Sequence, residues 1–512
     1  MLARVASEAL SGLRGHPVWV EADVVAAAPV FSVVGLPDAA VQESRERVRA
    51  AIVNSGFEFP SRRITVNLAP ADLRKEGPSF DLPIALAFLL ATGQVRDGAD
   101  GRGLLAAVGE LGLDGSLRPV AGALAVAQSL RARGVRGLVL PEGNAGEASL
   151  VPGLEVYPAA SLAEAVAQVE AGGSGAAPPA DLAALLAESP PGDADFADIA
   201  GQAAVKRALE IAVAGAHNVL MQGPPGAGKT MLARRLPGIM PPLTPQEALE
   251  VTRIHSVAGL LPPGVPLVVR RPFRAPHHTI SSPGLVGGGG TPRPGEVSLA
   301  HLGVLFLDEF PEYRLPALEG LRQPLEDGEV TISRRLQSVT YPARLMLVAA
   351  MNPCPCGFYG EQGRECSCDG YRLRQYRSRL SGPLLDRIDM RLDVPRVPPQ
   401  ERREAGRAES SAVVRERVGA ARLRQLERFA GTGVYANGHM TARQLRSYCR
   451  LDAETVRRLD RAYETMSLSA RAADRVVKVA RTIADLEGFR DIAVEHVAES
   501  LTYRGLEEGH DG

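Results

Sequence analysis

The octapeptide Gly223–Thr230, GPPGAGKT, constrains this chain more than any other stretch. It follows a short apolar run, Asn218–Gln222 (NVLMQ), and opens a helical segment from Lys229. A strand, a glycine-rich turn and a helix in that order make a phosphate cradle. Glycines let backbone N–H groups close around phosphate oxygens, and the helix N-terminus adds the positive end of its dipole. Gly223, Pro224, Pro225, Gly226, Ala227, Gly228, Lys229 and Thr230 are therefore expected to hold the phosphates of a nucleotide. Lys229 reaches the terminal phosphates, and the Thr230 hydroxyl is a ligand for Mg²⁺.

Two further apolar runs support a parallel sheet covered on both faces. Val304–Phe310 (VLFLDEF) is a buried strand with two carboxylates at its end. Asp308 is expected to hold Mg²⁺ through water, and Glu309 to polarise an attacking water. Leu345–Ala350 (LMLVAA) leads to Asn352, whose side chain would lie beside the Mg²⁺ strand and orient that water. The plainer reading of Asn352 is a strand-end turn residue. Together these features predict ATP as ligand and hydrolysis as the reaction, with Lys229, Asp308, Glu309 and Asn352 carrying it.

A chain of 512 residues is too long for one ordinary core. The stretch 171–195, rich in Gly, Pro, Ala and Ser with one short helical patch, reads as a linker. Before it, residues 1–170 interleave strands (Val18–Val25, Arg63–Leu68) with helices (Asp38–Asn54, Asp81–Leu90), an α+β pattern. After it come an α/β core at 196–398 and a helical, charged end at 399–512, with helical spacing at Ala421–Phe429 and Ala470–Leu486. A net charge of -1 means that any nucleic-acid site must be local. Met1–Leu13 lacks the apolar core of a signal peptide, and no apolar run reaches membrane length. The expectation is a cytoplasmic protein with no membrane partner.

Four of the five cysteines, Cys354, Cys356, Cys366 and Cys368, read C-x-C-x9-C-x-C. Four thiolates in a short loop suit tetrahedral Zn²⁺ in a reducing compartment. The competing reading is a set of buried apolar thiols, against which stand the surrounding Pro, Gly and charges. Cys449 stands alone. The stretch after the cysteines, Tyr371–Arg391, carries six Arg against two Asp, so a zinc loop there would shape a basic surface.

The chain resembles the magnesium-chelatase-like branch of the AAA+ ATPases, closest to its ComM/YifB group. The stretches that carry the resemblance are Val33–Ile52, Phe273–Ser281 (FRAPHHTIS), Gly295–Glu309, Met351–Gly357 (MNPCPCG), Gly382–Asp389 (GPLLDRID) and Ser469–Leu486. The resemblance implies a ring-shaped, usually hexameric homo-oligomer. It also implies an ATP-dependent DNA helicase acting in branch migration during uptake and recombination of DNA. It assigns Arg387 as the arginine finger that reaches the neighbouring subunit's γ-phosphate, with Arg379 as the fallback, and Arg471 as the lid arginine called sensor 2. It places a pore hairpin at Gly328–Tyr341, where Val330, Ile332 and Leu336 allow β-pairing and Arg334 and Arg335 lie near the tip. Two arginines there would grip DNA phosphates without reading sequence. The insertion 270–294, with His277, His278 and a run of glycines, reads as a nucleotide-sensing or DNA-facing loop rather than a metal site.

Residues Gly77–Ser79 and Val108–Gly122 resemble the Lon protease, a ribosomal S5 domain 2-like fold. Ser79 matches its nucleophile. The position of its lysine base falls on Leu124, and no Lys occurs between Lys75 and Lys206. A serine without a base is a poor nucleophile, so the fold is expected without proteolysis. The expected class is thus α/β overall: a Lon-like α+β N-terminal domain, a P-loop core and a helical lid. A DNA motor is the leading function; a chelatase- or chaperone-like ATPase that remodels a protein partner is the alternative.

Overall fold

The computed structural model describes residues 2–98, 105–187, 194–262, 264–290, 292–334, 337–361, 364–402, 409–466 and 468–504. The chain divides into two compact units. Met1–Glu188 joins Thr244–Val269 in the first, and Ser189–Leu243 joins Arg270–Gly512 in the second. Residues 244–269, which lie inside the 196–398 core expected from sequence, thus cluster with the N-terminal unit.

The first unit is built on a seven-stranded mixed sheet. Its order is Val30–Val34, Arg63–Ala69, Arg14–Val25, Leu2–Ser11, Leu105–Ala107, Gly137–Pro141, Glu155–Ala159. The two long strands pair antiparallel from Leu2↔Asp23 to Ser11↔Arg14. Beyond Leu2–Ser11 the remaining strands add in parallel. The helix Asp81–Thr92 is buried on nearly every face, which is why its residues are apolar all round. The helix expected from Asp38 begins at Ala39, with the Asp38 carboxylate capping it by accepting from Val41 N at 2.8 Å. The helix Pro245–Val257 starts in a Thr244/Glu247 capping box and packs on the helix Ala123–Ala132. Its Ser256 hydroxyl donates to buried Glu147 at 2.5 Å.

The second unit holds a five-stranded sheet in the order Phe273–Arg274, Val304–Leu307, Met346–Met351, Val219–Gln222, Met390–Asp393. All four pairings are parallel. Val304–Leu307 and Met346–Met351 are buried at every position, as expected where helices cover both faces. Among the described residues from 409 onward, five α-helices form the C-terminal end: Ser411–Arg428, Ala442–Tyr448, Ala453–Thr465, Ala470–Glu487 and Val494–Thr502. The Ala470–Glu487 helix, capped by Ser469, packs on Ala203–Gly215 and Ser411–Arg428. Among the described residues no helix is long and apolar enough to cross a membrane.

Candidate nucleotide-binding site

Parallel strands bring their C-terminal ends to one edge, and three of them carry the polar residues singled out above. Val219–Gln222 runs into the glycine-rich turn, Val304–Leu307 into Asp308 and Glu309, and Met346–Met351 into Asn352. Gly223 N–H donates to Met351 O at 3.2 Å, which locks the turn to the neighbouring strand. A Cβ on Gly223 would lie 2.2 Å from the Val394 carbonyl oxygen, so no side chain fits there. Gly228 caps the helix Lys229–Ile239 in the left-handed region, at φ 92°.

The result is a cavity of about 410 Å³ lined by Pro225–Met231, Asp308, Glu309 and Asn352. Lys229 Nζ donates to Gly223 O at 2.6 Å, Pro224 O at 3.1 Å and Asn352 Oδ1 at 3.1 Å. These are neutral acceptors, and an anionic phosphate oxygen makes a stronger charge-assisted bond to the same ammonium. Burial pulls the Lys229 pKa below its usual value, partly offset by the nearby Asp308 charge. The Thr230 hydroxyl donates to Asp308 Oδ2 at 2.7 Å, and Glu309 N–H donates to Asp308 Oδ1 at 2.9 Å. An all-oxygen pair of this kind, at the phosphate cradle, is the donor set Mg²⁺ prefers.

Glu309 adopts φ 52°, unusual for a residue with a side chain. Its carboxylate is half exposed and meets His278 Nδ1 at 3.0 Å. That contact was not legible in the sequence, because His278 and Glu309 are brought together only by the parallel pairing of Phe273–Arg274 with Val304–Leu305. The His277 and His278 rings lie 4.1 Å apart, centroid to centroid.

The three arginines lie outside the cavity lining. Arg387 is held within its own chain: Nε donates to Arg322 O at 3.0 Å, Nη1 to Pro383 O at 2.6 Å, and Nη2 pairs with Glu326. Arg379 pairs with Glu312 at 2.6 Å. Arg471 is exposed on the first turn of Ala470–Glu487. One helical turn on, Arg475 Nε meets buried Asp389 Oδ1 at 3.1 Å. Asp389 Oδ2 also accepts from Asn218 N–H at 2.9 Å and lies 3.7 Å from His217 Nδ1. Burial raises the Asp389 pKa, but the neighbouring His217 ring and the charges of Arg475 and Lys478 outweigh it and hold the carboxyl at about 2. The sequence reading missed this ion cluster, which ties the segment after Arg387 to the lid helix bearing Arg471.

The expected hairpin is present: Glu329–Arg334 pairs antiparallel with Gln337–Pro342, ending at Arg334↔Gln337. Val330, Ile332, Val339 and Tyr341 face inward, and Arg334 is exposed. Arg335 lies outside the described residues.

The four clustered cysteines converge, with all four Sγ atoms within 4.8 Å of one another. Cys354–Cys356 is 3.3 Å, Cys356–Cys366 3.6 Å and Cys354–Cys366 3.7 Å, sulfur to sulfur. Tetrahedral Zn–S bonds require edges of about 3.8 Å, whereas a disulfide needs about 2 Å. Among the described residues this is the single group of metal-ligating side chains so arranged. Cys449 is separate and buried.

In the first unit, the Ser79 carbonyl accepts from Gly109 N–H at 2.9 Å, Leu124 is fully buried in Ala123–Ala132, and Lys75 Nζ donates to Pro70 O.

Comparison with known proteins covers the whole length. Residues 195–402 match the family described as magnesium chelatase, subunit ChlI; residues 20–144 match subunit ChlI of Mg-chelatase; residues 408–504 match the ChlI C-terminal family. The chain is 43% identical over 512 residues to the uncharacterized protein YifB of Salmonella typhimurium, covering 99% of this chain and 97% of that protein. It is 43% identical over 514 residues to the competence protein ComM of Haemophilus influenzae, with 99% and 98% covered. It is 42% identical over 509 residues to the uncharacterized protein YifB of Escherichia coli, with 99% and 97% covered. With three matched families spanning both units and full-length relatives above 40% identity, the chain belongs to the magnesium-chelatase-like AAA+ family that contains the YifB and ComM proteins.

Proposed function

We propose that this chain is an ATPase whose hydrolysis cycle drives movement on DNA. The observation that carries the ATPase is the convergence of Lys229, Thr230, Asp308, Glu309 and Asn352 at one sheet edge. Lys229 trades its carbonyl partners for terminal phosphate oxygens. Thr230 and Asp308, already joined at 2.7 Å, would hold Mg²⁺, Asp308 through water, and the ion would supply charge neutralisation across the phosphates. Glu309 takes the proton of the attacking water, and Asn352, 3.1 Å from Lys229 Nζ, orients that water.

No arginine lines the cavity among the described residues, so the transition-state charge is met by an arginine from a neighbouring copy in a ring, hexameric as the family implies. Arg387 is the finger and Arg379 the alternative; Arg471 senses the phosphate from the lid. DNA as the partner is favoured by the relative named competence protein ComM and by the hairpin whose exposed end carries Arg334, next to Arg335. The biological setting that fits is branch migration in recombination and natural transformation, in the cytoplasm.

The cysteine cluster is read as a structural Zn²⁺ site, since its sulfur spacings match a tetrahedron. The N-terminal unit is read as a Lon-like fold that does not cleave peptides. Leu124 occupies the lysine position, and Lys75 is committed to Pro70 O.

ATPase rate measured with and without branched DNA tests the reading. We expect stimulation by DNA, and we expect Arg334→Ala/Arg335→Ala to keep the basal rate while losing stimulation uniformly across DNA sequences, because phosphate contacts carry no base information. Absence of hydrolysis sinks the whole reading. Hydrolysis indifferent to DNA leaves a protein-remodelling ATPase instead.

A further inference from the structure

We propose that the four-cysteine loop is a metal-dependent clasp on the nucleotide pocket: Zn²⁺ held by Cys354, Cys356, Cys366 and Cys368 fixes the loop that braces Pro225, and so sets nucleotide affinity. The proposal rests on the zinc reading above and extends it to a task.

The loop is joined to the pocket at its root. Cys354 lies two residues after Asn352, which lines the cavity and accepts from Lys229. The loop then returns to the cradle. Gly357, at φ 86°, lies so close to the P-loop that a Cβ would be 2.6 Å from Pro225 Cδ and 2.7 Å from its Cγ. The Pro225 ring is therefore seated directly on the loop backbone. The Pro225 carbonyl is gripped from another side, by Arg396 Nη2 at 3.3 Å. Arg396 is in turn held by the loop: its Nε meets Glu361 Oε1 at 2.8 Å, and its guanidinium lies over the Phe358 ring at 5.8 Å. Both ends of one P-loop residue thus depend on Gly357, Phe358 and Glu361.

Their other restraints are local to the loop: the Arg364 guanidinium lies over the Phe358 ring at 4.9 Å, and Glu361 N–H donates to Phe358 O at 3.2 Å. Between Asn352 and Asp369 the described residues form neither helix nor strand. Several backbone donors are aimed at sulfur: Tyr359 N–H at 3.3 Å on Cys354 Sγ, Cys356 N–H at 3.4 Å on Cys368 Sγ, and Gly357 N–H, shared between Cys354 O at 3.0 Å and Cys354 Sγ at 3.2 Å. N–H groups directed at thiolates are the supporting shell of a metal–sulfur site. A cation is what allows four thiolates to share this space; with it removed the sulfurs take up protons, the four metal–sulfur bonds that cross-link the loop are lost, and the loop loosens. The Pro225 brace then goes with it.

The test uses the full chain, purified without an affinity metal column. Zinc is measured by elemental analysis, and affinity by titration with a fluorescent ADP analogue. We expect one zinc per chain, roughly tenfold weaker ADP binding after chelation, and recovery on adding Zn²⁺; tenfold corresponds to about one lost positioning hydrogen bond. Because stripped protein can unfold, Arg396→Ala and Gly357→Ala are measured alongside; both should keep zinc and bind ADP more weakly by a similar factor. Absence of zinc overturns the zinc reading and the clasp together. Zinc at full occupancy with ADP affinity unchanged in Arg396→Ala and Gly357→Ala overturns the clasp alone and leaves a purely structural metal.

Discussion

Glu309→Gln should separate nucleotide binding from turnover. The Glu309 side chain is 57% exposed at the cavity rim, and among the described residues it pairs with His278 at 3.0 Å. Among the described residues no hydrogen bond or ion pair joins its side chain to Lys229 or Thr230. Its link to the Thr230–Asp308 pair is its backbone N–H on Asp308 Oδ1, which glutamine keeps. Glutamine also keeps the length of the side chain and the left-handed backbone. Phosphate and metal contacts should therefore survive, and the ATP dissociation constant should stay within roughly threefold, under about 0.7 kcal/mol. The proton acceptor is lost, and removal of a positioned base slows turnover by about 10²–10⁴, or roughly 3–5 kcal/mol of barrier. A fluorescent-nucleotide titration followed by a single-turnover phosphate-release assay measures both numbers on one preparation. Lys229→Ala is the contrasting control, because it removes the ammonium itself and should fail at binding. If Glu309→Gln turns over within tenfold of the parent, Glu309 is not the base and the role assigned to this strand end is wrong.

Arg387→Ala should be nearly inactive alone yet regain activity when mixed with Lys229→Ala subunits, since a mixed ring contains interfaces with one intact pocket and one intact finger; ATPase across mixing ratios reads this, and absence of rescue in subunits shown to exchange shifts the role to Arg379 or to a cis arrangement. Asp389→Asn should destabilise the second unit by about 2–4 kcal/mol, because it leaves the partly buried Arg475 and Lys478 without their anion; a denaturant titration that moves by less than about 1 kcal/mol removes the cluster from the stability account. The same cluster sets an acid limit. With its folded pKa at about 2, below the ordinary carboxyl value of about 3.9, Asp389 contributes fully above about pH 5 and loses its contribution as pH falls toward 2. In Asp389→Asn that part of the acid dependence should be absent.

What could be read from sequence was what chemistry requires to be contiguous. The turn Gly223–Thr230, the Asp308–Glu309 pair and the cysteine spacing each place their atoms through local backbone geometry, and the structure gathers them as a short-range reading anticipates. Helices with strong caps were equally plain, as at Asp38 and Ser469. The C-terminal helix expected near Ala421 in fact starts at Ser411, because its first turns carry exposed charges that hide the apolar spacing. Contacts that depend on strand order were out of reach. Phe273–Arg274 is too short to announce itself as a strand, yet it is what delivers His278 to Glu309. The Asp389 cluster draws on three segments far apart in the chain, and no periodicity encodes such a meeting. The return of Thr244–Val269 to the first unit was missed for the same reason: a capped amphipathic helix shows its apolar face but not what that face covers.

That return makes the connection between the units mechanical as well as sequential. The main chain passes between them three times, at 188–189, 243–244 and 269–270. The helix that begins at Lys229, in the candidate nucleotide cavity, ends at Ile239, and Thr244 already belongs to the first unit. On the far side, Val269 leads within a few residues to Phe273–Arg274 and the His278 contact with Glu309. An extended chain yields at most about 3.5 Å per residue, so both tethers are short and become stiff once taut. Any force that separates the units is borne in part by these two covalent links, one following the Lys229–Ile239 helix and the other preceding Phe273–Arg274. No protein surface needs to slide against another for the two to communicate.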